Sequence, residues 1–124
     1  MTKYKILYVD DEPINLELFN VIFNNDYEIY TCTSAQEGLQ ILNNKDISLV
    51  ISDYKMPEMN GIEFIKRIKE ANANIFCILL SAYSQTEMIQ NKESIDLLYA
   101  YIQKPWEKEI LKQLIDKALI NFLQ

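Results

Sequence analysis

Three short apolar runs, residues 6–9, 47–51 and 75–80, each end at a small polar or acidic group: Asp10-Asp11, Ser52-Asp53 and Ser81. Runs this short and apolar on both faces read as strands covered from both sides, and none approaches the length of a membrane span. Two further segments, 28–32 and 98–102, alternate apolar with polar residues and read as half-covered edge strands, the second with Tyr99 and Tyr101 together on one face.

Helix-forming segments separate the strands. Pro13 stands where a first helical residue belongs, and Ile14, Leu18 and Ile22 recur every four residues with Phe19 and Phe23 alongside. Ser34 and Glu37 make a capping box before a helix expected to bury Ala35, Leu39 and Leu42. Asn60 with Glu63 opens a third helix carrying Ile62, Ile65 and Ile68. Ser84 and Glu87 open a fourth that is weakly amphipathic, with Met88, Ile89 and Ile95 almost its only apolar positions. The fifth has the clearest stripe: Ile110, Leu111, Leu114, Ile115, Ala118, Leu119 and Phe122, with Ile120 and Leu123 falling off it.

Five strands alternating with five helices predict an α/β domain, a doubly wound five-stranded parallel sheet with helices on both faces. Apolar strands belong in the centre and alternating ones at the edges, which fits the order 2-1-3-4-5. Right-handed crossovers then put helices one and five on one face and helices two, three and four on the other. A chain of 124 residues suits one core, so we expect a single domain over 1–124.

Composition removes several functions. The chain has no His, which excludes His nucleophiles, His bases, His-ligated zinc and a phosphohistidine of its own. Its two glycines, Gly38 and Gly61, cannot build a Walker A loop or a G-x-G-x-x-G turn. A net charge of −6 makes direct nucleic-acid or anionic-membrane binding unfavourable. Cys32 and Cys77 lie in apolar or β-prone runs and read as two buried thiols, with a disulfide as the lesser alternative. With no signal-peptide pattern at the start, a cytoplasmic location is expected.

In an open parallel sheet, ligands bind at the carboxyl ends of the strands where the strand order reverses. In the order 2-1-3-4-5 that crevice lies between strands one and three, which end at Asp10-Asp11 and Asp53. Strand four ends beside them at Ser81 and strand five at Gln103-Lys104. Taken singly, each has a plain structural reading: Asp as helix cap or turn former, Ser81 as a strand-end hydroxyl, Lys104 as a surface cation. Together they put three acids, a hydroxyl and an ammonium at one end of the sheet. Clustered carboxylates repel, and a bound cation removes that cost. An all-oxygen site with few protein ligands suits Mg²⁺. The hydroxyl and ammonium suit a phosphoryl group, and a carboxylate can itself be the nucleophile that accepts one.

The motifs Asp10-Asp11, Asp53-x-x-Met56-Pro57-x-x-x-Gly61, Ser81-Ala82 and Lys104-Pro105 resemble the receiver domains of bacterial two-component response regulators, over essentially the whole chain. The resemblance implies a flavodoxin-like fold in which Asp53 accepts a phosphoryl group from a phosphohistidine on a sensor histidine kinase or phosphotransfer protein. It further implies that Asp11, Asp53 and the backbone carbonyl of Lys55 bind Mg²⁺ directly and that Asp10 holds a metal-bound water. Lys104 would contact the phosphoryl oxygens, Ser81 would move to hydrogen-bond them, and Tyr101 would turn inward behind Ser81. The Lys104-Pro105 bond would be cis, and the face of helix four, strand five and helix five would carry the signal to a protein target or output domain. Such a domain is not an enzyme beyond its own phosphorylation and dephosphorylation. Two alternatives remain at this point: a Mg²⁺-dependent phosphohydrolase with an Asp nucleophile, which usually has a D-x-D pair rather than adjacent acids, and a binding module that takes no phosphate. Lys55 and Tyr83 flank the crevice, and neither is a base at neutral pH, so a long-lived phosphorylated state is expected.

Overall fold

Five parallel strands, β1 (Lys5–Val9), β2 (Glu28–Cys32), β3 (Leu49–Asp53), β4 (Phe76–Ser81) and β5 (Ala100–Gln103), form one sheet in the order β2-β1-β3-β4-β5. They alternate with α1 (Pro13–Phe23), α2 (Ala35–Asn44), α3 (Gly61–Ala71), α4 (Gln85–Gln90) and α5 (Lys108–Phe122). This architecture comes from a computed structural model and is described for residues 3–122.

Strand alternation divides the core in two. Leu7, Val9, Val50, Cys77 and Leu79 point to one face, where α2, α3 and Met88 of α4 cover them. Ile6, Tyr8, Leu49, Ile51, Ile78 and Leu80 point to the other, under α1 and α5. The expected strand order and helix placement both hold. The registers bring the carboxyl ends level: Val9 pairs with Ser52, Asp53 with Leu80, and Ser81 with Gln103. Polar residues just past or at those ends therefore share one rim.

Five local readings are corrected. The buried stripe of α1 is Leu16, Phe19 and Phe23, while Ile14 is 72% and Leu18 53% exposed. The helix carries two apolar stripes and can press only one into the sheet. The stripe with two phenyl rings, stacked against Tyr8 through Phe19 at 4.3 Å, buries more area. On α5, Ile110 is half exposed for the same reason, with Leu111, Ile115, Ala118 and Leu119 forming the seam. Ile120 is exposed as expected, and Leu123 lies outside the described residues. Tyr99 and Tyr101 lie on opposite faces, because the regular ladder begins only at Ala100: Tyr99 stacks on Phe76 on the α1/α5 side, and Tyr101 packs on the other.

The fourth correction concerns α4, which has six residues and leaves Ile95 in the following loop. Its N-terminus is the expected capping box of Ser84 and Glu87. Its C-terminus closes with Lys92 N–H donating to the Ile89 carbonyl and Glu93 N–H to the Met88 carbonyl, while Lys92 takes a left-handed φ of 62°. This is a Schellman stop with Lys at the position glycine usually fills. At α2, Ser34 accepts from Glu37 N–H, but the expected capping box is only half formed, since the Glu37 carboxylate accepts from the Thr33 hydroxyl rather than from Ser34 N–H; Ala35 and Gly38 are the buried residues, with Leu39 and Leu42 only partly covered. Cys32 and Cys77 are both buried free thiols, and among the described residues no helix is long and apolar enough to cross a membrane.

Candidate functional site

The acids fall at the crevice because β1 and β3 end there. Asp53 closes β3, and its chain is pinned by Tyr54 N–H donating to the Leu80 carbonyl at 2.8 Å. Asp10 follows β1 and is tied sideways to β2 through the Cys32 carbonyl at 3.2 Å. Carboxylate oxygens of Asp10, Asp11 and Asp53 lie within 4.8 Å of one another. Asp10 is completely buried, Asp53 is 7% exposed and Asp11 is open to solvent. The trio therefore runs from the interior to the surface.

Lys104 joins the acids from the end of β5, where its N–H donates to the Ser81 carbonyl at 2.7 Å. Its ammonium lies 2.8 Å from Asp53 Oδ1 and 3.8 Å from Asp10 Oδ2. The peptide bond from Lys104 to Pro105 is cis. Asp11, Glu12, Asp53, Lys55, Ser81, Ala82, Tyr83 and Lys104 enclose a cleft of about 460 Å³, open to solvent above the acids. Every site residue expected from the sequence except Asp10 and Tyr101 lines this cleft. Asp10 lies beneath it, and Tyr101 is one layer back, its hydroxyl donating to the Tyr83 carbonyl at 2.5 Å. Ser81 is buried, its Oγ accepts from Tyr83 N–H at 3.1 Å, and its hydroxyl is hydrogen-bonded with the Tyr101 side chain.

Burial pushes the Asp53 carboxyl above the ordinary carboxylate range; the Lys104 hydrogen bond and charge pull it back, and Asp10 and Asp11 add to the rise. Three carboxylates against one ammonium leave two negative charges in the cluster. An all-oxygen donor set with that imbalance fits a hard divalent cation that keeps some of its own waters.

Sequence reasoning missed four residues here. Tyr8 donates its hydroxyl to Asp10 Oδ2 at 2.8 Å, and Asn15 donates its amide to the same oxygen at 3.1 Å. The signal for Tyr8 was strand alternation, which aims residues two apart at the same face. Tyr54 donates its hydroxyl to Glu93 at 2.7 Å, tying the residue after Asp53 to the end of α4. Nothing in the local pattern of either residue marks that pair.

Known proteins resemble this chain in sequence and fold. The family model for the response regulator receiver domain matches residues 6–116. Sporulation initiation phosphotransferase F of Bacillus subtilis is 32% identical over 120 residues, covering 96% of each chain. The transcriptional regulatory protein GlrR of Escherichia coli K12 is 32% identical over 117 residues, which are 92% of this chain but 26% of GlrR. Against longer regulators of that kind, the chain spans about a quarter of their length. The crystal structure of the response regulator TrrA of Thermotoga maritima, in complex with Mg²⁺–BeF, superposes with a TM-score of 0.80 at 30% identity, covering 94% of this chain and 99% of that one. A match that runs through β1, β3, β4 and β5 alike, and takes in every acid of the crevice, means that the chain belongs to the response regulator receiver domain family.

Proposed function

We propose that Asp53 is the phosphoryl acceptor of this receiver domain, and that the donor is a phosphohistidine of a sensor histidine kinase or phosphotransfer protein. The observation that carries the proposal is the Asp53 carboxylate at the floor of an open cleft, 2.8 Å from the Lys104 ammonium and beside two further acids. A carboxylate oxygen of Asp53 attacks phosphorus, the phosphorus–nitrogen bond breaks, and its electron pair leaves with the imidazole. Lys104 neutralises charge on the phosphoryl oxygens, and the Ser81 hydroxyl turns from Tyr101 to donate its proton to one of them. Asp11, Asp53 and the Lys55 carbonyl would hold Mg²⁺, with Asp10 holding one of its waters. When bound, that ion supplies the positive charge the three acids and the phosphoryl group lack. The TrrA complex with Mg²⁺–BeF supports this assignment by likeness.

In this reading the domain works as a cytoplasmic switch or relay with no other catalytic activity. It passes its state to a protein target or an output domain. Tyr101 and Ser81 are the proposed switch pair, both already tied to Tyr83 in the loop before α4. Incubation with Mg²⁺ and acetyl phosphate should add one phosphoryl group by intact mass and none to Asp53→Asn. An adduct retained in Asp53→Asn would overturn the assignment of the acceptor.

A further inference from the structure

Asp10 is fully buried, and a buried carboxylate persists as an anion only where donors replace its lost water. Here three protein donors do so at hydrogen-bond distance. Glu12 N–H reaches Oδ1 at 3.0 Å, and the Tyr8 hydroxyl and Asn15 amide reach Oδ2 at 2.8 and 3.1 Å. A carboxylate offers about four acceptor positions, so most of its capacity is used and its plane is fixed. The Lys104 ammonium is 3.8 Å away and sits closer to Asp53. The donors nearest Asp10 are therefore neutral: they stabilise its charge without cancelling it. The negative field of Asp10 remains available to a cation in the cleft above.

Tyr8 is well suited to that role. It lies in β1 two residues before Asp10, and it is buried, with its ring stacked on Phe19 at 4.3 Å. The stack fixes where its hydroxyl points. Asn15 comes from the first turn of α1, so strand and helix grip one oxygen together. We infer that Tyr8 and Asn15 are positioning residues for cation binding, acting through Asp10. The inference rests on the proposal that Mg²⁺ binds this cluster and deepens it by naming two residues outside the usual acids.

The test is calorimetric titration with Mg²⁺ of the wild-type chain, Tyr8→Phe, Asn15→Ala, Asp10→Ala and the pair Tyr8→Phe with Asp10→Ala. Tyr8→Phe removes one hydroxyl and keeps the Phe19 stack, which near-ultraviolet circular dichroism checks. Loss of an outer partner of a metal ligand weakens binding by roughly 10- to 100-fold, and the lower end is expected for each single change at Tyr8 or Asn15. In the Asp10→Ala background, Tyr8→Phe should cost nothing more, since its target is gone. Asp10→Val, which likewise offers no acceptor, replaces Asp10→Ala if that variant does not fold. A wild-type constant in Tyr8→Phe, or an equal loss in both backgrounds, would overturn the inference while leaving the metal site intact. A wild-type chain that binds no Mg²⁺ would overturn both.

Discussion

Gly61→Ala should damage fold and site together. Gly61 opens α3, and its N–H donates to the Tyr54 carbonyl at 2.7 Å. A methyl group there would stand 2.4 Å from the Asp53 carbonyl oxygen, 2.6 Å from Leu79 Cδ1 and 3.0 Å from Tyr54 Cα. Ordinary contact begins near 3.4 Å, so the end of β3 and the start of α3 must part by about 1 Å, and two of the three neighbours are backbone. Overpacking of this kind costs about 1–3 kcal/mol, and the strained Gly61–Tyr54 hydrogen bond about 1 more. A total near 3 kcal/mol corresponds to a fall in Tm of about 12 °C for a domain of this size. Displacing a reacting group by about 1 Å can cost 100-fold in rate, so phosphorylation by acetyl phosphate should slow by about 10- to 100-fold. Gly38→Ala is the control. Its methyl group meets only side chains, Phe64 Cζ at 2.8 Å and Val9 Cγ2 at 3.3 Å, and Ala gains about 1 kcal/mol of helix propensity inside α2. Thermal melts and initial rates of both variants decide the matter. A Gly61→Ala protein melting within about 3 °C of wild type and phosphorylated at the wild-type rate would refute the argument, as would equal damage from Gly38→Ala.

Amides of α4 should exchange faster than those of α1 and α5, because Met88 alone anchors α4 to the core; greater protection in α4 by mass-spectrometric exchange would contradict this. Lys92→Gly should raise the urea midpoint by the equivalent of about 0.5–1 kcal/mol by relieving the left-handed φ, and a lowered midpoint would show that the Lys side chain matters more. Lys55 and Tyr83 both line the cleft, so phosphorylated protein should decay more slowly than Lys55→Asn, Tyr83→Glu or the double variant; wild-type decay at or above the rate of the double variant would show that neither side chain guards the bond. Burial pushes the Cys32 thiol up to about 11 and Cys77 up to about 12, so both should resist alkylation at pH 8 in the native state. A raised thiol value in the fold means that the neutral thiols contribute their stability fully below about pH 8.5, where the unfolded chain is still protonated, and lose it as pH rises towards 11–12. Cys32→Ala with Cys77→Ala should flatten the fall in urea midpoint over that range, and an unchanged slope would refute it.

The sheet order and the rim of acids were legible because they depend on where apolar runs stop, and a run stops at a residue anyone can read. Asp10, Asp53, Ser81 and Lys104 needed only the strand order to be placed together. The face of α1 was not legible, since Ile14/Leu18/Ile22 and Leu16/Phe19/Phe23 are both acceptable stripes and only the shape of the sheet chooses between them. The end of α4 was hidden because its stop signal is Lys92, a residue that ordinarily continues a helix. Tyr8 was read only as part of an apolar run, yet its hydroxyl belongs to the site. One polar atom at the tip of a core side chain is invisible to a pattern that scores whole residues.

The hydrogen bond from Tyr54 to Glu93 has a thermodynamic consequence. It joins the residue after Asp53 to the residue that seals α4, so the two regions share a free energy. Any molecule that grips α4 more tightly when that bond is intact must alter the equilibrium at Asp53, and a phosphoryl group on Asp53 that changes the bond must alter the grip by the same factor. If phosphorylation of Asp53 changes that bond, a molecule bound at α4 would also be an effector of the domain's charge state, and the least anchored helix would be where its occupancy is reported back to the acids.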